Sequence, residues 1–419
     1  MRAPYVILGN GAAALAAIRA IRRRDRQGGI IVVTAGSPAA YSPALLPYVI
    51  SGRLPEERLA LTGQAFYSSH GVTLLAGRRA VEVEAGEHRV SLDDEGHVGY
   101  GRLLVATGAS AKGSAVAGAD AGEPLTLRSL EDARRIRARA AECRAVCVLG
   151  AGLAGLEMAM ALRELGKDVA VVAASGQILS RNAGPAEAEV VQAMLARAGV
   201  SLLLGRSLAG LEHGLGRRWL VTNEGDRVPA DLLVAAKGAQ PNARPLTGGA
   251  GAPGHQTVDE HMRTGLPDVF AAGDVVLSRD AVSGEPRAFS TWPSACLEGN
   301  VAGASMAGGA ISCEAEIAFN IIPVFGSSAA FIGDTASAAQ APDGEALVWK
   351  GSRPERGLYR RFYLRGGRIV GAALVGSCRD AGLVRRLIET GASTSGRALA
   401  DVLAGSGWGA VKGRCLPRL

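Results

Sequence analysis

The sequence predicts an α/β fold made of parallel sheets, in which one strand–turn–helix–strand module is present twice. Apolar runs bounded by glycine and followed by Ala- and Leu-rich helical patterns occur at residues 5–8, 30–33, 145–149, 169–172 and 232–235. The module that begins at Tyr5 reappears at Ala145. A chain of 419 residues is too long for one ordinary hydrophobic core, so we expect two or three domains.

The first module has a glycine-rich turn between its strand and its helix. The turn reads Gly9-Asn10-Gly11-Ala12-Ala13-Ala14 and leads into a helical run at residues 15–24. Gly9 permits the tight turn, Gly11 lets a pyrophosphate approach the backbone, and Ala14 allows close helix packing. Free N–H groups at the helix start then bind the anion. The structural alternative is a helix that is merely entered through small residues.

The second module carries the full motif of Gly150, Gly152 and Gly155, between the strand at 145–149 and a helix at 157–165. Two matches in the same context are much harder to obtain by chance than one. The pair predicts two Rossmann-like dinucleotide-binding domains, each a three-layer ββα unit.

The segments outside the modules predict antiparallel structure. Residues 81–100 alternate apolar and polar side chains on either side of a turn at 93–96, and residues 346–375 do so around a turn at 365–368. Residues 111–142 resemble a linker with an Arg-rich helix. We therefore expect a C-terminal α+β interface domain at 326–419. The first dinucleotide domain takes residues 1–112 and 244–325, and the second takes 113–243.

Composition excludes several classes of function. The net charge of +7 is too diffuse to indicate a nucleic-acid-binding protein. The six cysteines contain no C-x-x-C pair, and the six histidines form no ligand cluster, so neither a metal site nor a disulfide framework is predicted. No apolar run resembles a membrane span, and the chain enters its first strand without a signal-peptide pattern. A reducing cytoplasm is the expected location.

Three further segments carry a resemblance to a known family. They are YGRLLVATGA at 100–109, DLLVAAKGAQPN at 231–242 and VDEHMRTGLPDVFAAGDV at 258–275. With the two glycine motifs, they resemble the FAD-dependent pyridine nucleotide-disulfide oxidoreductases. The resemblance is to the branch of rubredoxin and ferredoxin reductases and the NADH-binding part of nitrite reductase, and also to the flavin subunit of phenylglyoxylate (2-oxoacid) dehydrogenase.

The resemblance implies FAD and NAD as cofactors and assigns residues to each. Asp274 would accept a hydrogen bond from the flavin ribityl chain, although a helix N-cap is the structural alternative. Glu157 would act catalytically near the nicotinamide and flavin, although a first-turn carboxylate stabilised by the helix dipole is equally compatible. The remaining cofactor-binding residues are Gly9, Gly11, Ala14, Tyr41, Pro47, Thr107, Gly108, Gly150, Gly152, Gly155, Gly238, Gly273 and Trp292.

The sequence departs from this family at two points. No cysteine precedes Cys143, and Ala44 stands where single-cysteine members carry a thiol, so thiol-based chemistry is not expected. Both modules also lack the acidic residue that binds a ribose, since Gly36 and Ala173-Ala174 stand there. We expect NAD as the coenzyme. NADP is an alternative, because Arg181 could bind its 2′-phosphate. A further alternative is that one module binds its nucleotide poorly or has become structural.

Without a thiol, electrons must leave the flavin by another route, and a redox protein partner fits best. Segment 359–376 resembles the end domain of the nitrite-reductase type. With the residues before it, it supplies a cationic cluster that could steer an acidic ferredoxin-like protein or iron–sulfur subunit, or could simply be a solvated face. Its members are Lys350, Arg353, Arg356, Arg360, Arg361, Arg365 and Arg368. Assembly as a hetero-oligomer or a homodimer is expected. A stand-alone NADH oxidase or small-molecule reductase and a structural flavoprotein remain alternatives.

Overall fold

The computed structural model describes residues 3–113, 124–214, 217–247, 254–340, 345–350 and 359–391. In these ranges the helices are α1 (Ala12–Arg24), α2 (Leu46–Ser51), α3 (Gln64–Ser69), α4 (Leu130–Ala141), α5 (Leu153–Glu164), α6 (Pro185–Arg197), α7 (Trp292–Met306) and α8 (Ala381–Glu389). The strands are β1 (Tyr5–Leu8), β2 (Ile30–Thr34), β3 (Val72–Ala76), β4 (Ala80–Glu84), β5 (Arg89–Leu92), β6 (His97–Gly99), β7 (Arg102–Val105), β8 (Ala109–Ala111), β9 (Leu125–Thr126), β10 (Ala145–Leu149), β11 (Asp168–Ala173), β12 (Val200–Leu204), β13 (Leu208–Gly214), β14 (Arg217–Thr222), β15 (Arg227–Pro229), β16 (Leu232–Ala235), β17 (Ala239–Pro241), β18 (Gln256–Thr257), β19 (Val269–Ala271), β20 (Val276–Arg279), β21 (Pro286–Arg287), β22 (Phe319–Val324), β23 (Ser327–Gly333), β24 (Glu345–Lys350), β25 (Tyr359–Arg365) and β26 (Arg368–Val375).

The first unit is built around a parallel sheet with the strand order β19-β7-β1-β2-β3. Both faces of this sheet are buried, so apolar residues are needed on both. This explains why its strands are continuous hydrophobic runs in the sequence. One face packs on α1 and α7, and the other packs on the antiparallel meander β4-β5-β6. This arrangement confirms the predicted ββα layers and the predicted turn at 93–96.

The second unit repeats the plan with the parallel order β12-β11-β10-β16-β9. Its helical layer contains α4, α5 and α6, and the antiparallel meander β13-β14-β15 covers the opposite face. The Arg-rich helix predicted within residues 111–142 is α4 and belongs to this layer.

Two short strands join the units. The chain leaves the first unit through β8 and returns through β17, and these strands pair antiparallel with Ala109 opposite Pro241. Thr107 Oγ1 donates to the Asn242 carbonyl (2.7 Å), and Asn242 Nδ2 donates to the Thr107 carbonyl (3.0 Å). These hydrogen bonds hold together the two chain segments that connect the units.

The C-terminal unit is an antiparallel sheet with the order β22-β23-β26-β25-β24, and α8 packs against it. The predicted turn at 365–368 lies between β25 and β26. Strand β22 pairs with β23 from Phe319 opposite Ile332 to Val324 opposite Ser327. The domain boundary placed at residue 326 therefore falls inside a hairpin, and the sheet takes residues 319–324 as well. No helix in the described ranges is long and apolar enough to cross a membrane.

Candidate functional site

The start of α1 forms one wall of a large cavity. Gly9 adopts φ +108°, and a Cβ at this position would overlap the carbonyl oxygen of Ala106. A Cβ on Gly11, in contrast, would meet no protein atom within 4 Å. The cavity in front of α1 has a volume of about 940 Å³. The first glycine therefore brings two backbones together, while the second leaves the helix start open to an anionic ligand.

A second cavity of about 290 Å³ continues from the first. The two share the lining residues Asn10, Gly11, Thr34, Gly36, Ala106, Gly108 and Arg128. The far end of the second cavity is lined by Tyr41, Asp274 and Trp292. The joined space passes the N-terminus of α1, so it suits an elongated dinucleotide whose diphosphate lies at that helix end. These residues fit FAD, and the two joined cavities are called the FAD-sized space below.

Asp274 lies on a turn that leads into β20, with no helix following it. The N-cap alternative is therefore wrong. Its Oδ2 is 2.7 Å from Nη2 of Arg128. The two side chains have only 16% and 35% of their surface exposed, so the pair is partly shielded from water. Asp274 is thus held at the cavity wall in a fixed orientation.

Arg128 is a site residue that the sequence reasoning missed. It precedes Ser129, the N-cap of α4, and its backbone N–H donates to Asp132 of the same capping box (3.0 Å). Its side chain lines both parts of the FAD-sized space and also the cavity of the second unit. The only available signal was its place beside a capping pattern of Ser followed three residues later by Asp.

Glu298 supports the Asp274 turn from behind. This residue of α7 is 3% exposed, and its carboxylate accepts from the Gly273 N–H (2.6 Å) and the Ser278 hydroxyl (2.5 Å). Burial, reinforced by the neighbouring carboxyl of Glu316, raises the pKa of Glu298 well above its usual range. Helix α7 begins at Trp292, as the resemblance implied, and therefore contributes to both the wall of the cavity and the support of the turn.

The second glycine motif forms the corresponding site in the second unit. A Cβ on Gly155 would overlap the carbonyl oxygen of Gly150, whereas Gly152 faces open space. A cavity of about 360 Å³ lies at the start of α5, and its lining includes Gly152, Arg181 and Gly238. Lys237 adds a second cation to this wall. The residues fit the diphosphate of a nicotinamide dinucleotide.

The end of β11 is without a carboxylate, as the sequence indicated. The strand ends at Ala173, and the described residues around this cavity include no acidic side chain. The Arg206 N–H donates to the Ala173 carbonyl (2.9 Å), but the Arg206 guanidinium is bound to Asp226 (2.7 Å). The usual acceptor for a ribose 2′-hydroxyl is therefore missing, and the nearest arginine is already neutralised.

Glu157 lies where all three units meet. Helix α5 begins at Leu153, four residues earlier than expected, so Glu157 lies beyond its first turn and the alternative of a dipole-stabilised first-turn carboxylate is wrong. The half-buried side chain borders a small cleft with Tyr48 and Phe325. Burial raises its pKa to about 7. This carboxyl can therefore hold or release a proton near neutral pH.

Five predicted residues lie outside the linings of the cavities at the starts of α1 and α5, and these are Ala14, Pro47, Gly150, Gly155 and Glu157. Ala14 is fully buried in the core under α1, which agrees with its predicted packing role. Pro47 is the second residue of α2 and borders the cleft beside Glu157, and it does not line the FAD-sized space. Tyr41 does line it, and its hydroxyl accepts from the Leu130 N–H of α4 (3.0 Å).

The structure gives no thiol a place in these cavities. Ala44, at the position where a thiol was considered, lines the second cavity together with Tyr41 and Trp292. Cys147 is fully buried in β10, and burial raises its pKa to about 12. Cys143 is half-buried just after α4 and packs on the opposite face of the sheet from Cys147. These are surroundings of small apolar side chains, and the described residues contain no group of side chains arranged to hold a metal ion.

Two of the C-terminal arginines, Arg360 and Arg361, do not join the expected cationic cluster. Arg360 is 7% exposed and is 2.7 Å from Asp380, while Arg361 points towards the fully buried Glu187 at 3.7 Å. Arg365 is 3.8 Å from Asp334. The side chain of Lys350 and residues Arg353 and Arg356 lie outside the described part. Arg360 and Arg361 therefore belong neither to a steering surface nor to a solvated face, whereas Arg365 and Arg368 are exposed at the turn between β25 and β26.

Comparison with protein families places the chain among known oxidoreductases. Residues 3–299 match the family described as pyridine nucleotide-disulphide oxidoreductase. Residues 337–404 match the domain described as reductase C-terminal. The first match spans both dinucleotide units, and the second covers most of the C-terminal unit.

Individual relatives extend the same picture over nearly the whole chain. The chain is 31% identical over 388 residues to the epsilon subunit of NADH-dependent phenylglyoxylate dehydrogenase from Aromatoleum evansii. The alignment covers 92% of this chain and 91% of that protein. It is 32% identical over 413 residues to the ferredoxin–NAD(+) reductase component of the anthranilate 1,2-dioxygenase system from Burkholderia cepacia. That alignment covers 96% of this chain and 98% of the relative. Among solved structures, an NAD-dependent persulfide reductase from A. fulgidus superimposes with a TM-score of 0.85 at 26% identity, covering 94% and 78%.

Proposed function

Because the chain belongs to the pyridine nucleotide-disulphide oxidoreductase family, we propose that it is an FAD-dependent enzyme that passes electrons between NAD(H) and a separate redox protein. One observation carries the proposal. Two glycine-lined helix starts, Gly11 of α1 and Gly152 of α5, each open on a cavity, and Arg128 lies at the junction of both. Two dinucleotides bound there would bring their reactive ends towards each other.

The first unit holds FAD in this proposal. The N–H groups at the start of α1 bind the diphosphate, with Gly9, Gly108 and Thr107 shaping the backbone around it. Asp274, oriented by Arg128, accepts from the ribityl hydroxyls, and Tyr41 and Trp292 flank the ring end. Bound FAD supplies a ring that takes a hydride from the nicotinamide and releases electrons to the next carrier.

The second unit holds the nicotinamide dinucleotide. Gly152 and the start of α5 bind its diphosphate, and Gly150 and Gly155 make the close backbone contact that this turn requires. Arg181 and Lys237 add positive charge to the same wall. Glu157 is the catalytic candidate, because its carboxyl can take up or give a proton near neutral pH where the units meet.

The path by which electrons leave the flavin distinguishes this chain from oxidoreductases that use a thiol. Ala44 leaves the ring end without a sulfur nucleophile, so a persulfide or disulfide substrate lacks its partner. A ferredoxin-like protein, rubredoxin or iron–sulfur subunit accepts electrons without such chemistry. The unpaired cysteines favour a reducing compartment, and we place the enzyme in the cytoplasm.

A second candidate function is a subunit role in a 2-oxoacid dehydrogenase complex, in which this chain would reduce NAD. It is favoured by the similarity to the epsilon subunit of phenylglyoxylate dehydrogenase over 92% of the chain. In that case the native protein would co-purify with iron–sulfur chains and show little turnover alone.

Anaerobic titration with NADH, followed by flavin absorbance, tests the proposal. The wild type should bind FAD and bleach with one equivalent of NADH. Gly11→Ala should purify without FAD, because its Cβ fills the open space at α1 without touching the protein. Gly152→Ala should retain FAD but need far more NADH to bleach. A colourless wild type, or a flavin that stays oxidised in excess NADH, contradicts the proposed function.

A further inference from the structure

Helix α1 carries arginines that no carboxylate neutralises. Arg19, Arg23 and Arg24 are exposed, and none has an Asp or Glu oxygen within 4.0 Å in the described part of the chain. This contrasts with the C-terminal unit, where Arg360 is paired with a carboxylate. The electrostatic potential of an arginine without a neutralising carboxylate reaches further into solvent, so it attracts an approaching acidic molecule more strongly.

Helix α7 lies directly beside these arginines. A Cβ on Gly303 would come within 2.5 Å of the Ala17 carbonyl oxygen, so the small residue lets the two helices touch. Arg23 Nη2 donates to Asn300 Oδ1 across the gap, and Arg19 lies over the ring of Phe66 at 5.1 Å. Leu297, on the same face of α7, is 38% exposed.

This surface begins at the ring end of the FAD-sized space. Trp292 starts α7 and lines that space, and Leu297 follows five residues later. Five residues of α-helix correspond to about 7.5 Å along the axis. A protein that covers Leu297 would therefore place its own surface within a short distance of Trp292 and the ring end.

We propose that the α1–α7 strip, formed by Arg19, Arg23, Arg24, Leu297 and Asn300, is the docking surface for an acidic iron–sulfur protein. The inference rests on the proposed function and specifies its partner. The unpaired arginines supply charge complementarity, which governs encounter rate and orientation. Leu297 supplies an apolar contact at the centre, as protein interfaces require. The strip also places the partner beside the helix that leads to the ring end.

Steady-state kinetics with two acceptors test the strip. The probes are a [2Fe–2S] ferredoxin of negative net charge and menadione, an uncharged small acceptor. The double variant Arg19→Glu/Arg23→Glu should raise the KM for ferredoxin on the order of tenfold and weaken its salt dependence, because rim charges act on association. Turnover with menadione and FAD content should stay at wild-type values. Arg19→Gln/Arg23→Gln, which only removes charge, should give a smaller rise in the same direction.

Arg365→Glu/Arg368→Glu is the matched control, since it reverses two charges on the C-terminal sheet. It should leave the KM for ferredoxin unchanged. An unchanged KM in both α1 double variants, or a rise only in the C-terminal one, overturns the strip while leaving the proposed function intact. If the wild type bleaches with NADH and reduces menadione but no ferredoxin, the partner in the proposed function fails and the strip fails with it.

Discussion

Replacing Glu157 by Gln should stabilise the flavin-free protein at alkaline pH and not at acidic pH. Burial raises the pKa of Glu157 from an ordinary value of 4.5 to about 7. The folded protein therefore holds this proton more tightly than the unfolded chain. Stability is undiminished below pH 4.5 and falls as the pH rises to about 7, beyond which the loss is complete. A difference of about 2.5 pH units corresponds to about 3 kcal/mol.

Urea unfolding of wild type and Glu157→Gln at pH 4.5, 7 and 9 measures this difference. The variant should match the wild type at pH 4.5 and exceed it by about 3 kcal/mol at pH 9. The control is Glu164→Gln, which lies two turns later on α5 and loses an ion pair with Arg53. It should show no such alkaline gain. A difference between wild type and Glu157→Gln that is the same at all three pH values would refute the assignment of a buried carboxyl that loses its proton near neutrality.

Two further predictions concern the second glycine motif and the missing thiol. Gly155→Ala should destabilise the protein by about 1–3 kcal/mol, because its Cβ overlaps the Gly150 carbonyl oxygen, whereas Gly152→Ala should leave the melting temperature unchanged; equal melting temperatures for the two variants would contradict this contrast. In air with excess NADH, the enzyme should convert oxygen to hydrogen peroxide without reducing it further to water, because Ala44 provides no thiol at the ring end. A catalase-coupled oxygen electrode checks this, and a failure to recover oxygen on adding catalase would count against it.

Local patterns predicted most of the architecture. The alternation of apolar strands with helices, and glycines at Gly9 and Gly150, located both parallel sheets because such signals depend on neighbouring residues. Arg128, the site residue that was missed, has its role through a distant partner, Asp274. Arg128 and Asp274 are 146 positions apart, and only the crossing between the units brings them together.

The prediction failed at Arg360 and Arg361 for the same reason. Sequence spacing showed the cations but not the acids, and Asp334, Asp380 and Glu187 come from three separate elements. The reverse holds for α1, where Arg19 and Arg23 look unremarkable in an Arg-rich chain. Their significance arises only from the surroundings, since no acid approaches them in the described residues.

The adjacent crossing strands β8 and β17 have an evolutionary consequence. Strands β7 and β19 are neighbours in one sheet although the whole second unit lies between them in sequence. An insertion whose two ends emerge side by side, with Ala109 opposite Pro241, leaves the host sheet unbroken. The nicotinamide unit is therefore in a position to be exchanged for a related one, so that coenzyme preference can change in a lineage without redesign of the flavin site.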